Sequence, residues 1–231
     1  MQDENSLLAT LPPEERRRLR PHLEPISLVK GRALFEPGEP FDRALFPTDG
    51  IISLLAVTPS DKAIELAMVG RDGVVGLPLL FGGTSMPYEA LVQVAGTALT
   101  IAADVLRTEF KRARRLQQLL LTYERRLHTQ LSRAVLCHRF HNLSSRIGRW
   151  LLHASERLGS DTIEVTQEAL AYLLNAPRTA VNAAAVKLCD SGTIRYRHGR
   201  IVISDRAALS RAACPCYRAA DRRVEAVRSA S

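Results

Sequence analysis

The chain has 231 residues, a net charge of +8 and four cysteines. The length suits two modest domains, and four irregularly spaced cysteines give no disulfide framework, so a reducing cytoplasm is the expected setting. No apolar run approaches the ~20 residues of a membrane helix, and the polar opening MQDENSLLAT is unlike a secretion signal. The charge is divided unevenly. Residues 1–108 hold 10 Lys and Arg against 14 Asp and Glu, whereas residues 109–231 hold 22 against 10. Such a split points to a polyanionic partner for the second half alone.

In chain order, Leu7–Leu23 predicts one or two short helices, with Arg16, Arg17 and Arg18 on a solvated face. From Ile26 to Ala103 the texture changes to short apolar stretches, among them ISLV, IISLLAV, AIELAMV and ALTIAA. Turn residues such as Pro37-Gly38, Asp49-Gly50 and Gly82-Gly83 separate them. The pattern predicts an all-β sandwich or jelly roll. A metal-dependent enzyme on such a roll needs clustered histidines and carboxylates. His22 is the sole histidine before residue 128 and no cysteine precedes Cys137. No nucleophile elbow, phosphate-binding loop or dinucleotide glycine signature is present either, so no catalytic residue and no enzyme activity are expected.

Glu109 to His138 contains no glycine or proline and predicts one long helix. Leu116, Leu120, Tyr123, Leu127 and Leu131 recur on it in a heptad-like stripe. The stripe either packs on its own β-domain or forms the seam between two copies of the chain. The dimer seam is the favoured expectation, because a long helix joining two halves of opposite charge is a natural place for a twofold axis.

The stretch Thr166–Leu188 predicts two short helices. Thr166 is the N-cap of the first, Asn175 takes the left-handed turn, Pro177 opens the second, and Val181, Ala184, Ala185 and Leu188 form its apolar face. GTIRYRHGRIVIS follows, two alternating strands about a His198-Gly199 turn, and every charged residue in it is basic. A helix-turn-helix followed by a basic hairpin is a winged helix, with double-stranded DNA as its partner. The candidate contacts are Thr166 and Gln167 on the first helix, Arg178, Thr179, Asn182 and Lys187 on the second, and Arg195, Arg197 and Arg200 on the wing.

This order of parts resembles the cAMP receptor protein and fumarate-nitrate regulator (Crp-Fnr) family of bacterial transcription factors. The most specific pieces are SSRIGRWLLHASERLG (144–159), VTQEALAYLL, RTAV and SGTIRYRHGRIVISDR, and the ending ACPCY is similar to one branch of that family. The resemblance implies an α+β chain in three parts: a cyclic-nucleotide-binding-like β-roll sensor over 1–108, a connecting dimerisation helix over 109–138 and a winged helix-turn-helix over 139–231. It further implies a cytoplasmic homodimer with RNA polymerase as a partner.

Two departures from the family pattern matter. Nucleotide-binding members carry a Gly-Glu-Leu cassette and, later, an Arg followed by Ser or Thr. Here Gly76 is followed by Leu77, and the Arg position falls at Tyr88 or Glu89. Without the ribose acceptor and the phosphate cation, cyclic nucleotides are not expected to bind. On the recognition helix, cAMP-responsive members read Arg-Glu-x-x-x-Arg. This chain keeps Arg178 but has Thr179 and Ala183 in the other two places, so its operator is expected to differ.

Cys137 and His141 stand at i and i+4, and Cys214 and Cys216 form a Cys-x-Cys pair. The two pairs converge only if the tail folds back. The favoured expectation is that Cys137 and Cys189 are small buried apolar residues with the C-terminal pair half-exposed, and that no metal or cofactor is held. The alternative is a small-molecule or thiol/metal redox sensor acting mainly through protein contacts.

Overall fold

The computed structural model describes residues 4–217. They fall into two compact units. The first comprises residues up to 57 together with 67–128, and the second comprises 58–66 together with 129 onward.

The first unit opens with α1 (Ser6–Ala9) and α2 (Pro13–Leu19). Asn5 caps α1 from a fully buried position: its Oδ1 accepts from Leu7 N and Leu8 N, and its Nδ2 donates to Pro47 O and Gly73 O. A buried amide with every group satisfied pins the N-terminal helix to the roll at no desolvation penalty. Seven strands follow: β1 (Glu24–Leu28), β2 (Ala33–Phe35), β3 (Arg43–Pro47), β4 (Ile51–Val57), β5 (Ala63–Val69), β6 (Glu89–Val94) and β7 (Gly96–Ala102). They form two sheets, ordered β1-β7-β3 and β2-β6-β4-β5. The expected β-roll is therefore present. The run IISLLAV, buried at its first five positions, is a strand covered on both faces, which explains why it lacks polar alternation.

Two helices follow where the sequence predicts one. α3 (Ala103–Arg112) ends at Ala113, whose backbone is extended, and α4 (Arg114–Phe140) begins beyond it. The break has a long-range cause. The Glu15 carboxylate of α2 accepts from Leu116 N at 2.9 Å and Arg115 N at 3.3 Å, capping the new helix from a hundred residues upstream. Ala113 itself is buried in the core.

That core corrects the expected dimer seam. Leu116, Leu120 and Tyr123 pack in one cluster with Leu7, Leu8, Phe46, Leu77, Ile101 and Leu106. Leu127 is also buried, and Leu131 is half-buried. Leu116, Leu120 and Tyr123 are thus taken up by the chain's own packing, because the roll supplies an apolar surface that is always at hand. The apolar side chains that α4 leaves to solvent are Leu121, Val135, Leu136 and Phe140.

The second unit contains the end of α4, then α5 (Leu143–Leu158), β8 (Thr162–Glu164), α6 (Gln167–Leu173), α7 (Arg178–Asp190), β9 (Ile194–Arg197), β10 (Arg200–Ile203) and α8 (Arg206–Ala212). Its sheet runs β8-β10-β9, one strand more than the expected hairpin. Among the described residues no helix is long and apolar enough to cross a membrane.

Candidate nucleic-acid interface

Local rules place the reader. Thr166 Oγ1 accepts from Ala169 N and caps α6. Asn175 takes φ 43° in the turn, and Ala176 N donates back to Ala171 O, closing the helix end. Pro177 sits one residue earlier than expected, at the cap of α7 rather than its first turn. Below, Val181, Ala184, Ala185 and Leu188 are buried. Opposite them Arg178, Thr179, Asn182, Ala183, Val186 and Lys187 face solvent at helical spacing.

This face is partly pre-set. Gln167 Nε2 donates to Asn182 Oδ1 at 2.9 Å, leaving the Asn182 amide NH2 to project. Sequence reasoning missed Val186, a large apolar side chain 47% exposed in the middle of the row. The 3.6-residue period from Thr179 and Asn182 would have found it, and an apolar group there suits a thymine methyl.

In the wing, His198 and Gly199 both take positive φ, as a two-residue hairpin turn between right-twisted strands requires. The Tyr196 hydroxyl accepts from Gln167 N at 3.0 Å, fastening the wing to α6. The three arginines differ. Arg200 forms a 2.8 Å ion pair with Glu164, Arg195 Nε donates to Ser204 Oγ, and Arg197 has no such contact among the described residues.

Beneath the reader, Arg146 of α5 is buried. Its guanidinium donates to Leu174 O at the helix-turn-helix turn and to His138 Nδ1 of α4 at 2.6 Å. Burial first, then the charges of Arg146 and Arg149, hold the His138 imidazole neutral, down to about 4.

In the roll, Leu77 is fully buried within the apolar cluster, following Gly76 at φ 106°. Tyr88 is buried too, and its phenol is pushed well above the usual range by that burial and by the charge of Glu124. The Glu124 carboxyl is itself raised by burial. Leu77 thus presents an alkyl chain and Tyr88 a neutral phenol with a carboxyl near it, while the neighbouring Glu89 carboxyl is raised by burial and by the charge of Glu36.

A winged helix-turn-helix with an open recognition face, on a chain that also carries a β-roll, defines a DNA-binding regulator with a sensor-type domain. Comparison with known proteins agrees. Residues 25–113 match the cyclic nucleotide-binding domain and residues 145–212 match the Crp-like helix-turn-helix domain, together more than half of the chain. The CRP-like cAMP-activated global transcriptional regulator of Mycobacterium tuberculosis is 28% identical over 84% of this chain and 90% of its own length. FixK2 from Bradyrhizobium japonicum has the same fold, with a TM-score of 0.73 over 83% of this chain and 98% of that one at 15% identity. The c-di-GMP-responsive global regulator CLP of Xanthomonas campestris gives 0.69 over 83% and 99% at 19% identity. The chain belongs to the Crp-Fnr family of DNA-binding transcription regulators.

Proposed function

We propose that the protein is a cytoplasmic, homodimeric regulator that reads a specific DNA sequence and acts with RNA polymerase. The observation that carries this reading is the solvent-facing row Arg178, Thr179, Asn182, Val186 and Lys187 on α7, flanked by the exposed cation of Arg197. A row of mixed hydrogen-bonding and apolar groups suits base edges, and a separate cation suits phosphate. Selection of bound fragments from random DNA should return one operator. Arg178→Ala should then cost about 1–3 kcal/mol on that operator and far less on scrambled DNA. Equal loss on both would make Arg178 a phosphate anchor, and no loss on either would remove the assignment of α7.

The β-roll responds to a signal other than cAMP or cGMP. One relative is named as cAMP-activated, and one solved structure of the same fold is named as c-di-GMP-responsive. Leu77 offers no acceptor for a ribose hydroxyl, and Tyr88 with Glu124 offers no cation for a phosphate. Calorimetry on the full chain should show no binding of either nucleotide at micromolar concentration; a saturable micromolar isotherm would overturn this reading.

Dimerisation would use the exposed side of α4. Leu121 and Val135 are two heptads apart on that side, with Leu136 beside Val135. A second copy is the natural cover for these side chains, since it brings two readers onto two half-sites.

A further inference from the structure

Four metal-ligating side chains meet in the second unit. Cys137 and His141 lie one turn apart near the end of α4, and the segment after α8 turns back to set Cys214 and Cys216 against them. Cys214 Sγ is 3.6 Å from Cys137 Sγ, and Cys216 Sγ is 3.8 Å from His141 Nδ1. All four ligand atoms lie within 4.8 Å of one another. The return is built into the backbone. Cys214 N donates to Ser145 O, Ala213 N to Leu209 O, and Tyr217 N to Cys214 O. Cys137 and Cys214 are buried, while His141 and Cys216 are half-buried.

We propose that Cys137, His141, Cys214 and Cys216 hold one zinc ion in a closed tetrahedral site. Donors about 2.3 Å (sulfur) and 2.0 Å (nitrogen) from a single ion stand about 3.5–3.8 Å apart. The Cys137–Cys214 and Cys216–His141 pairs already have that spacing, and the widest pair needs to close by about an ångström. Three thiolates and an imidazole are a soft set that selects zinc over magnesium or calcium. Such a set with a divalent ion carries a net charge of minus one, and the positive charge of Arg149 acts on both Cys137 and Cys214. A cleft of about 330 Å³, lined by Arg133, Leu136, Phe140, His141, Pro215 and Cys216, gives the ion a way in. With four protein ligands no position remains for a substrate, so the ion is structural. It fastens the C-terminal return to α4 one residue from His138, which Arg146 links to the helix-turn-helix turn.

The test uses the full chain, purified with reductant and without a metal-affinity step. Elemental analysis should find one zinc per chain. Replacement by cobalt(II) should give the intense visible bands of a tetrahedral ion and thiolate-to-metal charge transfer. Cys216→Ser and His141→Ala should each lose bound metal, while Cys189→Ser, outside the cluster, should keep it. The cobalt titration of the unaltered chain decides the matter even if a variant fails to fold. The proposal is overturned by a reduced chain that holds no zinc and takes no cobalt, or by a Cys137–Cys214 disulfide in the reduced preparation. Iron with sulfide, or full zinc retention in Cys214→Ser/Cys216→Ser, would overturn it equally.

Discussion

Arg195, Arg197 and Arg200 look alike in the sequence, yet each meets a different electrostatic environment. A phosphate contact gains from counterion release only if the cation is not already paired. Arg197→Ala should therefore weaken binding to cognate and scrambled DNA alike and reduce the salt slope by about one. Arg200→Ala should change it less, since Arg200 comes with Glu164 as a partner. Titrations at several salt concentrations measure both, and a larger effect at Arg200 would show that DNA displaces Glu164. A second residue-scale prediction concerns His153 of α5. Burial holds its pKa down to about 4, helped by Arg157 and Arg149 and opposed by Glu156, while Tyr217 packs edge-on against the ring. The folded state thus stays neutral where the unfolded chain takes up a proton, near pH 6.5. Stability should fall as pH drops from about 6.5 to about 4, by on the order of 3 kcal/mol from this group. Denaturant unfolding should show a shallower pH slope for His153→Gln; an unchanged slope would mean that His153 charges freely in the folded chain.

Among the elements, α4 is the one whose start no local signal announces. Residues 109–138 read as one helix by composition, whereas the Glu15 carboxylate, a hundred residues away, caps the restart at Arg114. Glu15→Ala should cost about 1 kcal/mol, the ordinary value of an N-cap. Chemical denaturation measures it, and no change would assign the break to the burial of Ala113 alone. By contrast, α6, its turn and α7 were legible almost residue by residue. The Thr166 cap, the left-handed Asn175 and the apolar face at Val181, Ala184 and Leu188 are all present. Each depends on neighbours within four positions. The wing was legible for the same reason, but β8 was not, because Thr162–Glu164 joins β10 only through tertiary packing.

For the molecule as a whole, the leucine stripe carries the sharpest contrast. Leu120 lies in the core of the first unit, so Leu120→Ala should cost about 2–5 kcal/mol of stability. Val135 is 66% exposed, so Val135→Glu should leave stability nearly unchanged and, if the exposed side of α4 is the seam, convert dimers to monomers. Thermal unfolding with sedimentation separates the two, and a Val135→Glu chain that still sediments as a dimer would move the seam elsewhere. The β-roll and the winged helix could be read from the sequence, because periodicity, turn conformation and motif spacing are short-range properties, and the family followed from the resemblance of its motifs. The sequence did not determine which surface covers Leu116, Leu120 and Tyr123, since an apolar stripe is equally satisfied by its own domain or by a second copy. Nor did it determine that Cys137 meets Cys214 across 77 residues. Both were decided by the path of the chain in three dimensions, where contacts between distant residues follow from how the whole core packs.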